Sequence, residues 1–200
     1  VSKNTTGRAG RILQAADELF CERGYAGVSV RDVAQRADVN KALVFYHYES
    51  KVLLFERVLQ GYYEAHGTLL RSGIPREGDL KERVHGLVGA YFDFMAEHHR
   101  YARLIQQEVA RQGEHLPLIR KNLAQLLLTS QETLGELLPE RGPLAPKHFF
   151  LTLAGMTINY FTYAPALGEA WGEDPCGEAG VAERRAHVRW VVDAILGHLE

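Results

Sequence analysis

Between residues 40 and 51 a short stretch gathers the kinds of side chain that read DNA. Lys41 stands near the start of a predicted helix, where it can donate to a guanine edge or a phosphate. Ala42 and Leu43 beside it offer the small and apolar surfaces that suit a thymine methyl. Asn40 is a good N-cap for that helix, and Lys51 opens the next one, where its charge and the unpaired amides of the first turn both favour a phosphate. A helix of about two turns spans roughly 10 Å, enough to reach a few base pairs.

The other reactive grouping is His98, His99 and His115 with Glu97, Glu108 and Glu114. Its spacing fits no catalytic arrangement. There is no HExxH or CxxC pair, no phosphate-cradling glycine loop and no GxSxG elbow, and His98 and His99 point in different directions on a helix. An enzyme is therefore not expected, nor a metal or cofactor. Cys21 and Cys176 suggest no disulfide framework and fit a reducing cytoplasm. No charged-then-apolar leader opens the sequence, and no apolar run nears the roughly 20 residues that cross a bilayer, so neither secretion nor a membrane partner is expected.

Net charge is −2, which by itself does not point to nucleic acid, but its distribution is uneven. Residues 1 to 51 hold eight Lys/Arg against six Asp/Glu. Lys3, Arg8 and Arg11 form a basic start that reads equally as a DNA-binding arm or a solvated terminus.

Helices must position these groups. Ile12, Ala15, Ala16, Leu19 and Phe20 recur at helical spacing from Arg8 to Arg23, with Gly24 where a C-terminal cap belongs. Ser29 and Asp32 make a capping-box start for a short second helix with Val30, Val33, Ala34 and Ala37 as its buried stripe. A third helix runs from Lys41 to about Tyr48, and a fourth, capped by Ser50, from Lys51 to about Leu70. Ser72 to Asp79 breaks the pattern at Gly73, Pro75 and Gly78. Further helical patterns cover residues from Leu80 to at least Met95, about Tyr101 to Gln112, Leu116 to Leu138 and Pro146 to Ala164. Pro165 to Gly180 reads as a mobile loop, and a last helix covers about Ala182 to Leu199. No segment shows two-residue alternation, so the fold class is all-α: a three-helix helix-turn-helix domain (1–51) joined by a long helix to a helical bundle (52–200).

The run SVRDVAQRADVNKALVFYHYESKVLL, Ser29 to Leu54, resembles the DNA-binding signature of the tetracycline-repressor (TetR) family. The likeness extends over about Arg8 to Leu59. Val30, Val33, Ala34, Ala37 and Val39 occupy its core positions, and Tyr46, His47, Tyr48, Ser50 and Lys51 match its aromatic-His-aromatic run and Ser-Lys helix start. The resemblance implies base contacts from Arg31, Lys41, Ala42 and Phe45 and phosphate contacts from Tyr46, His47 and Lys51. Three positions depart from the pattern. Asp38 replaces a turn glycine, Asn40 a Ser or Thr, and Phe45 a frequent tyrosine whose hydroxyl it lacks. Read singly, Tyr46 and Tyr48 could be core, Tyr48 especially because it shares a face with Val44, and His47 could be a surface residue without a ligand.

The same resemblance implies a C-terminal domain that dimerises through its last two helices and binds a small effector. Phe149, Leu153 and Met156 with Val188, Val191 and Ile195 are the interface candidates. Effector candidates are Tyr91, Phe92, Met95, Ile105, Val109, Leu123, Leu127 and Tyr160, whose aromatic and thioether groups suit an apolar or aromatic molecule. Packing within one subunit accounts for the effector set more readily than a pocket does, and it also claims some of the interface set. The expected function is a dimeric, ligand-responsive repressor on a palindromic double-stranded operator, although the same contacts could activate from another operator position.

Overall fold

A computed structural model describes residues 7–73, 78–134 and 139–197, and every regular element among them is a helix. They are α1 (Arg8–Arg23), α2 (Val30–Arg36), α3 (Lys41–Tyr48), α4 (Lys51–Gly73), α5 (Leu80–Glu97), α6 (His99–Arg111), α7 (Leu116–Leu134), α8 (Pro146–Trp171) and α9 (Glu178–Leu196). Lys3, Pro75, residues 135–138 and Leu199 lie outside the described residues.

The chain forms two compact units. The first contains Val1–Ala65 and Arg103–Arg120, so it reaches past residue 51 along α4 and takes in most of α6 and the start of α7. Its core is Ile12, Leu19 and Phe20 of α1 against Val33, Val44, Leu54, Phe55 and Val58. The second contains His66–Ala102 and Lys121–Glu200, with Val84, Leu87, Val88 and Phe92 of α5 buried with Phe149, Leu153 and Phe161 of α8 and Val188 and Val192 of α9.

The expected loop from Pro165 to Gly180 is mostly helix. α8 runs through Pro165 to Trp171, and α9 begins at Glu178. Proline removes one backbone donor and disfavours a helix interior by about 3 kcal/mol. Tertiary packing offsets that cost here: Phe161 and Ala164 on the turn before Pro165 are buried, and Gly172, at φ +72°, supplies a left-handed C-terminal cap. The short connection is stitched down by the Tyr160 hydroxyl, which lies 2.7 Å from the Pro175 carbonyl oxygen and 3.1 Å from that of Gly180. A Cβ at Gly180 would come within 2.8 Å of the Pro175 backbone, which is why the first turn of α9 carries a glycine.

Candidate nucleic-acid interface

Helix α2 starts at a complete capping box: the Ser29 hydroxyl accepts from the Asp32 amide, and the Asp32 carboxylate accepts from the Ser29 amide at 2.8 Å. The turn to α3 needs a left-handed residue, and Asp38 takes it at φ +52°. Aspartate tolerates that conformation, so the missing glycine does not break the turn. The Val39 amide then donates to the Ala34 carbonyl, and Asn40 Oδ1 accepts from the Leu43 amide at 2.8 Å to start α3. A second left-handed residue, Glu49 at φ +56°, ends α3, after which the Ser50 hydroxyl accepts from the Leu53 amide and starts α4.

Only Val44 of α3 is fully buried. Lys41, Ala42, Phe45, Tyr46 and His47 are exposed and Leu43 is half-buried, so the helix turns a continuous face outward. Tyr46 is 80 % exposed, which excludes a core role, and its ring meets His47 edge to face at 5.1 Å. Tyr48 is half-buried, and its hydroxyl donates to the Ala9 carbonyl of α1 at 2.8 Å, tying the end of α3 down. Lys41 Nζ stands 5.5 Å from the Phe45 ring centre. Arg31 is exposed in the first turn of α2. Arg36 is engaged within the protein, bridging Glu18 at 3.0 Å and Glu22 at 3.4 Å.

Lys51 is placed differently from the other cations. It is half-buried, with Nζ 4.0 Å from the centre of the Tyr25 ring, and loss of solvent lowers its pKa. Tyr25 belongs to a cluster with no signal in the sequence. Burial first, then the nearby Glu114 carboxylate, push its pKa up to about 12. Its ring packs on Phe55 at 4.9 Å and on the buried His115 at 4.4 Å. Tyr25 and His115 are 90 positions apart, so only folding brings them together.

In the second unit, Tyr91, Phe92 and Met95 are buried, Leu123 is exposed, Leu127 is half-buried, and the Tyr160 hydroxyl is committed to the α8–α9 connection. Ile105 and Val109 belong to the first unit, where they are half-buried and exposed. Of the interface candidates, Phe149, Leu153 and Val188 are buried inside a single subunit, whereas Met156, Val191 and Ile195 are half-buried. The exposed apolar residues of α8 and α9 are others, among them Tyr163, Leu167 and Trp171 at every fourth residue of α8, and Trp190 flanked by Ala186 and Ala194 on α9. No group of three or more potential metal ligands occurs among the described residues, and no described helix is long and apolar enough to cross a membrane.

No sequence motif marks His66. It is buried in the second unit, stacked on Phe94 at 4.6 Å, and its Nε2 has no hydrogen-bond partner among the described residues. Burial, with a smaller contribution from His98, lowers its pKa from 6.5 to about 4. The folded state thus binds fewer protons than the unfolded chain, and the stability present above the unfolded value is lost as pH falls through the folded one. Between pH 7.5 and 4.5, wild type is expected to lose about 2–3 kcal/mol more in urea unfolding than His66→Phe, the size of the shift integrated over that window. Equal losses in the two proteins would show that His66 titrates normally.

A short capped helix held outward on a three-helix support is a helix-turn-helix DNA-binding domain. Residues 12–58 match the family described as bacterial regulatory proteins, tetR family, and residues 81–192 match the tetracyclin repressor-like C-terminal domain. The chain belongs to the TetR family of transcriptional regulators, which is not a family of enzymes. It is similar to the HTH-type transcriptional activator FasR of Mycolicibacterium smegmatis, 34% identical over 98 residues that make up 49% of this chain and 45% of that protein. It is also similar to the HTH-type transcriptional repressor Rv3405c of Mycobacterium tuberculosis, 45% identical over 92 residues, 43% of this chain and 48% of that one. The chain spans about half the length of these two relatives. The structure of the ketosteroid transcriptional regulator KstR2 of M. tuberculosis superposes with a TM-score of 0.72 over 94% of this chain and 93% of that chain, at 21% identity, a likeness of fold.

Proposed function

We infer that the protein is a repressor that binds a palindromic operator as a homodimer in the cytoplasm and leaves it when a small apolar or aromatic effector binds the second unit. The observation that carries this reading is the outward face of α3. A helix capped at both ends, anchored by Val44 and the Tyr48 hydroxyl, holds Lys41, Ala42, Phe45, Tyr46 and His47 free of any packing role. Arg31 is exposed in α2 and Asn40 is spent on the cap, so Asn40 positions the helix and the others are available to DNA. Phe45, without a hydroxyl, contributes apolar contact only. Lys51, half-buried with Nζ over the Tyr25 ring, stands at the start of α4, where its remaining N–H groups can meet a phosphate. The relatives include an activator and a repressor. Repression is favoured because a dimer seated across a promoter occludes it. An apolar effector is in keeping with the ketosteroid named for the KstR2 regulator.

Selection of bound duplexes from a random pool tests this. The control is Lys41→Ala with Tyr46→Ala, because Lys41 and Tyr46 are exposed and their loss leaves the support intact, whereas Lys51→Ala would also disturb Tyr25. Wild type is expected to enrich a palindrome, with an affinity that falls as salt rises, and the double variant to lose at least about tenfold in affinity. No enrichment at low salt would overturn the reading.

A further inference from the structure

Within the second unit a half-open groove of about 350 Å³ lies along α5 and α9, with Leu69 of α4 at its edge. That volume is at the lower end of the range for small-molecule sites, about 300–1,000 Å³. Its α5 wall includes Gly86, Gly89 and Ala90 beside Val88, Phe92 and Asp93, the last taken up by Arg185, so at the glycines the backbone itself forms part of the surface. A Cβ placed on Gly89 would meet no atom within 4 Å, which shows open space where a side chain would normally stand. Glycine in a helix interior is destabilising by about 0.5–1 kcal/mol relative to alanine, so leaving that space unfilled has a cost.

The α9 wall is cationic. Arg185 and Arg189 both line the groove. Arg185 is paired with Asp93 and lies over the Phe92 ring. Arg189 makes no ion pair among the described residues. His85, at the same groove, uses Nε2 to meet Asp193 Oδ1 at 2.9 Å, and Lys81 Nζ holds that same oxygen at 2.8 Å. Asp193 is thereby held by two partners, while His85 Nδ1 is buried with no hydrogen-bond partner among the described residues. The sum is a half-open groove with small residues along part of one wall and, on the other, a guanidinium that makes no ion pair among the described residues.

We propose that the groove between α5 and α9 binds a flat ligand carrying a single carboxylate, its ring on the Gly86–Ala90 surface and its carboxylate on Arg189. A guanidinium offers a planar fork of donors that matches a carboxylate in two parallel hydrogen bonds, so an acid is preferred over an alcohol or an amine of the same shape. The ligand deepens the effector reading and rests on it. α9 has two faces: Arg185, Val188 and Arg189 turn to the groove, and Ala186, Trp190 and Ala194 are the exposed row beside them. A molecule wedged against the first face acts on the position of the second.

The test uses 2-naphthoate as probe, with 2-naphthol and 2-naphthylamine as shape-matched controls, by calorimetry on the full chain. Expected is one site per subunit for 2-naphthoate, at least tenfold tighter than either control, with Arg189→Ala weakening naphthoate about tenfold or more and Gly89→Leu abolishing binding. Since a Cβ at Gly89 meets no atom within 4 Å, the leucine variant is expected to keep its fold, checked by an unchanged helical spectrum. Absence of naphthoate binding, equal binding of naphthol, or binding that survives Gly89→Leu would overturn the site. Failure of the regulator reading shows separately, as a protein that binds naphthoate yet selects no palindrome.

Discussion

Phe55→Ala is expected to destabilise the first unit by about 3–5 kcal/mol and to abolish operator binding near the growth temperature, although Phe55 touches no part of the DNA-reading face. The ring has no exposed surface and sits at the meeting point of three others: Phe20 edge to face at 4.9 Å, Tyr25 at 4.9 Å and His115 at 4.4 Å. Truncation removes its burial and leaves a cavity, and each aromatic pair it breaks adds about 0.5–1.5 kcal/mol. Phe55→Leu keeps most of the volume and is expected to recover most of the loss. The contrast is Tyr46→Ala, 80 % exposed, which should alter stability by no more than about 0.5 kcal/mol while weakening DNA binding. Urea unfolding and operator titration on the three variants decide it. A Phe55→Ala loss below about 1.5 kcal/mol would mean that the cluster is not what supports α3 and α4.

That cluster also explains which parts of the site could be read from the sequence. Gly24, the Ser29–Asp32 box, Asn40 and Ser50 are local devices, each acting over three or four residues, and they place the ends of α1, α2 and α3 where the structure has them. The outward face of α3 follows only in part: Val44 turns inward as its spacing suggests, but it takes the fold to show that Tyr46 is exposed and Tyr48 half-buried. Lys51 does not follow. Its position at a helix start suits a phosphate, but its actual partner is Tyr25, and Tyr25 is fixed by Glu114 and His115 from the far side of the chain. Long-range contacts of this kind leave no trace in spacing.

Local rules also fail at Pro165. A proline beside Gly168 and Gly172 reads as a breaker, yet α8 passes through it because Phe161 and Ala164 are held in the core and Tyr160 fixes the turn that follows. The interface candidates show a second limit. Helical periodicity finds an apolar stripe but does not say whether the stripe packs inside one subunit or against another. Phe149, Leu153 and Val188 form the better stripe and are already buried at 4%, 5% and 1% exposure. The row around Trp190 is sparse and rich in alanine, so it carries little hydrophobic signal, although small residues are what let two helices approach closely.

Replacing Leu167 and Trp190 together by glutamate is accordingly expected to turn a dimer into a folded monomer. Leu167, Trp171, Tyr163 and Trp190 are between 43% and 67% exposed, and large apolar side chains left exposed on two consecutive helices are the candidates for a surface that a second copy would cover. Burying a large apolar side chain contributes about 1.5–3 kcal/mol, and the row occurs once in each subunit, so a twofold interface counts every such residue twice. A glutamate at its centre removes that burial and adds the desolvation of an unpaired charge, several kcal/mol for each. Light scattering after gel filtration is expected to give half the wild-type mass with an unchanged helical spectrum. Affinity for the full palindrome should fall about 10²–10⁴-fold, because the second half-site is then no longer bound intramolecularly, while affinity for a single half-site should stay as in wild type. Phe149→Glu serves as the opposite control: it places a charge in the subunit's own core and should unfold the second unit rather than release a monomer. If the double glutamate variant kept the dimer mass, α8 and α9 would not form the interface, and the twofold match between protein and operator would need another surface to produce it.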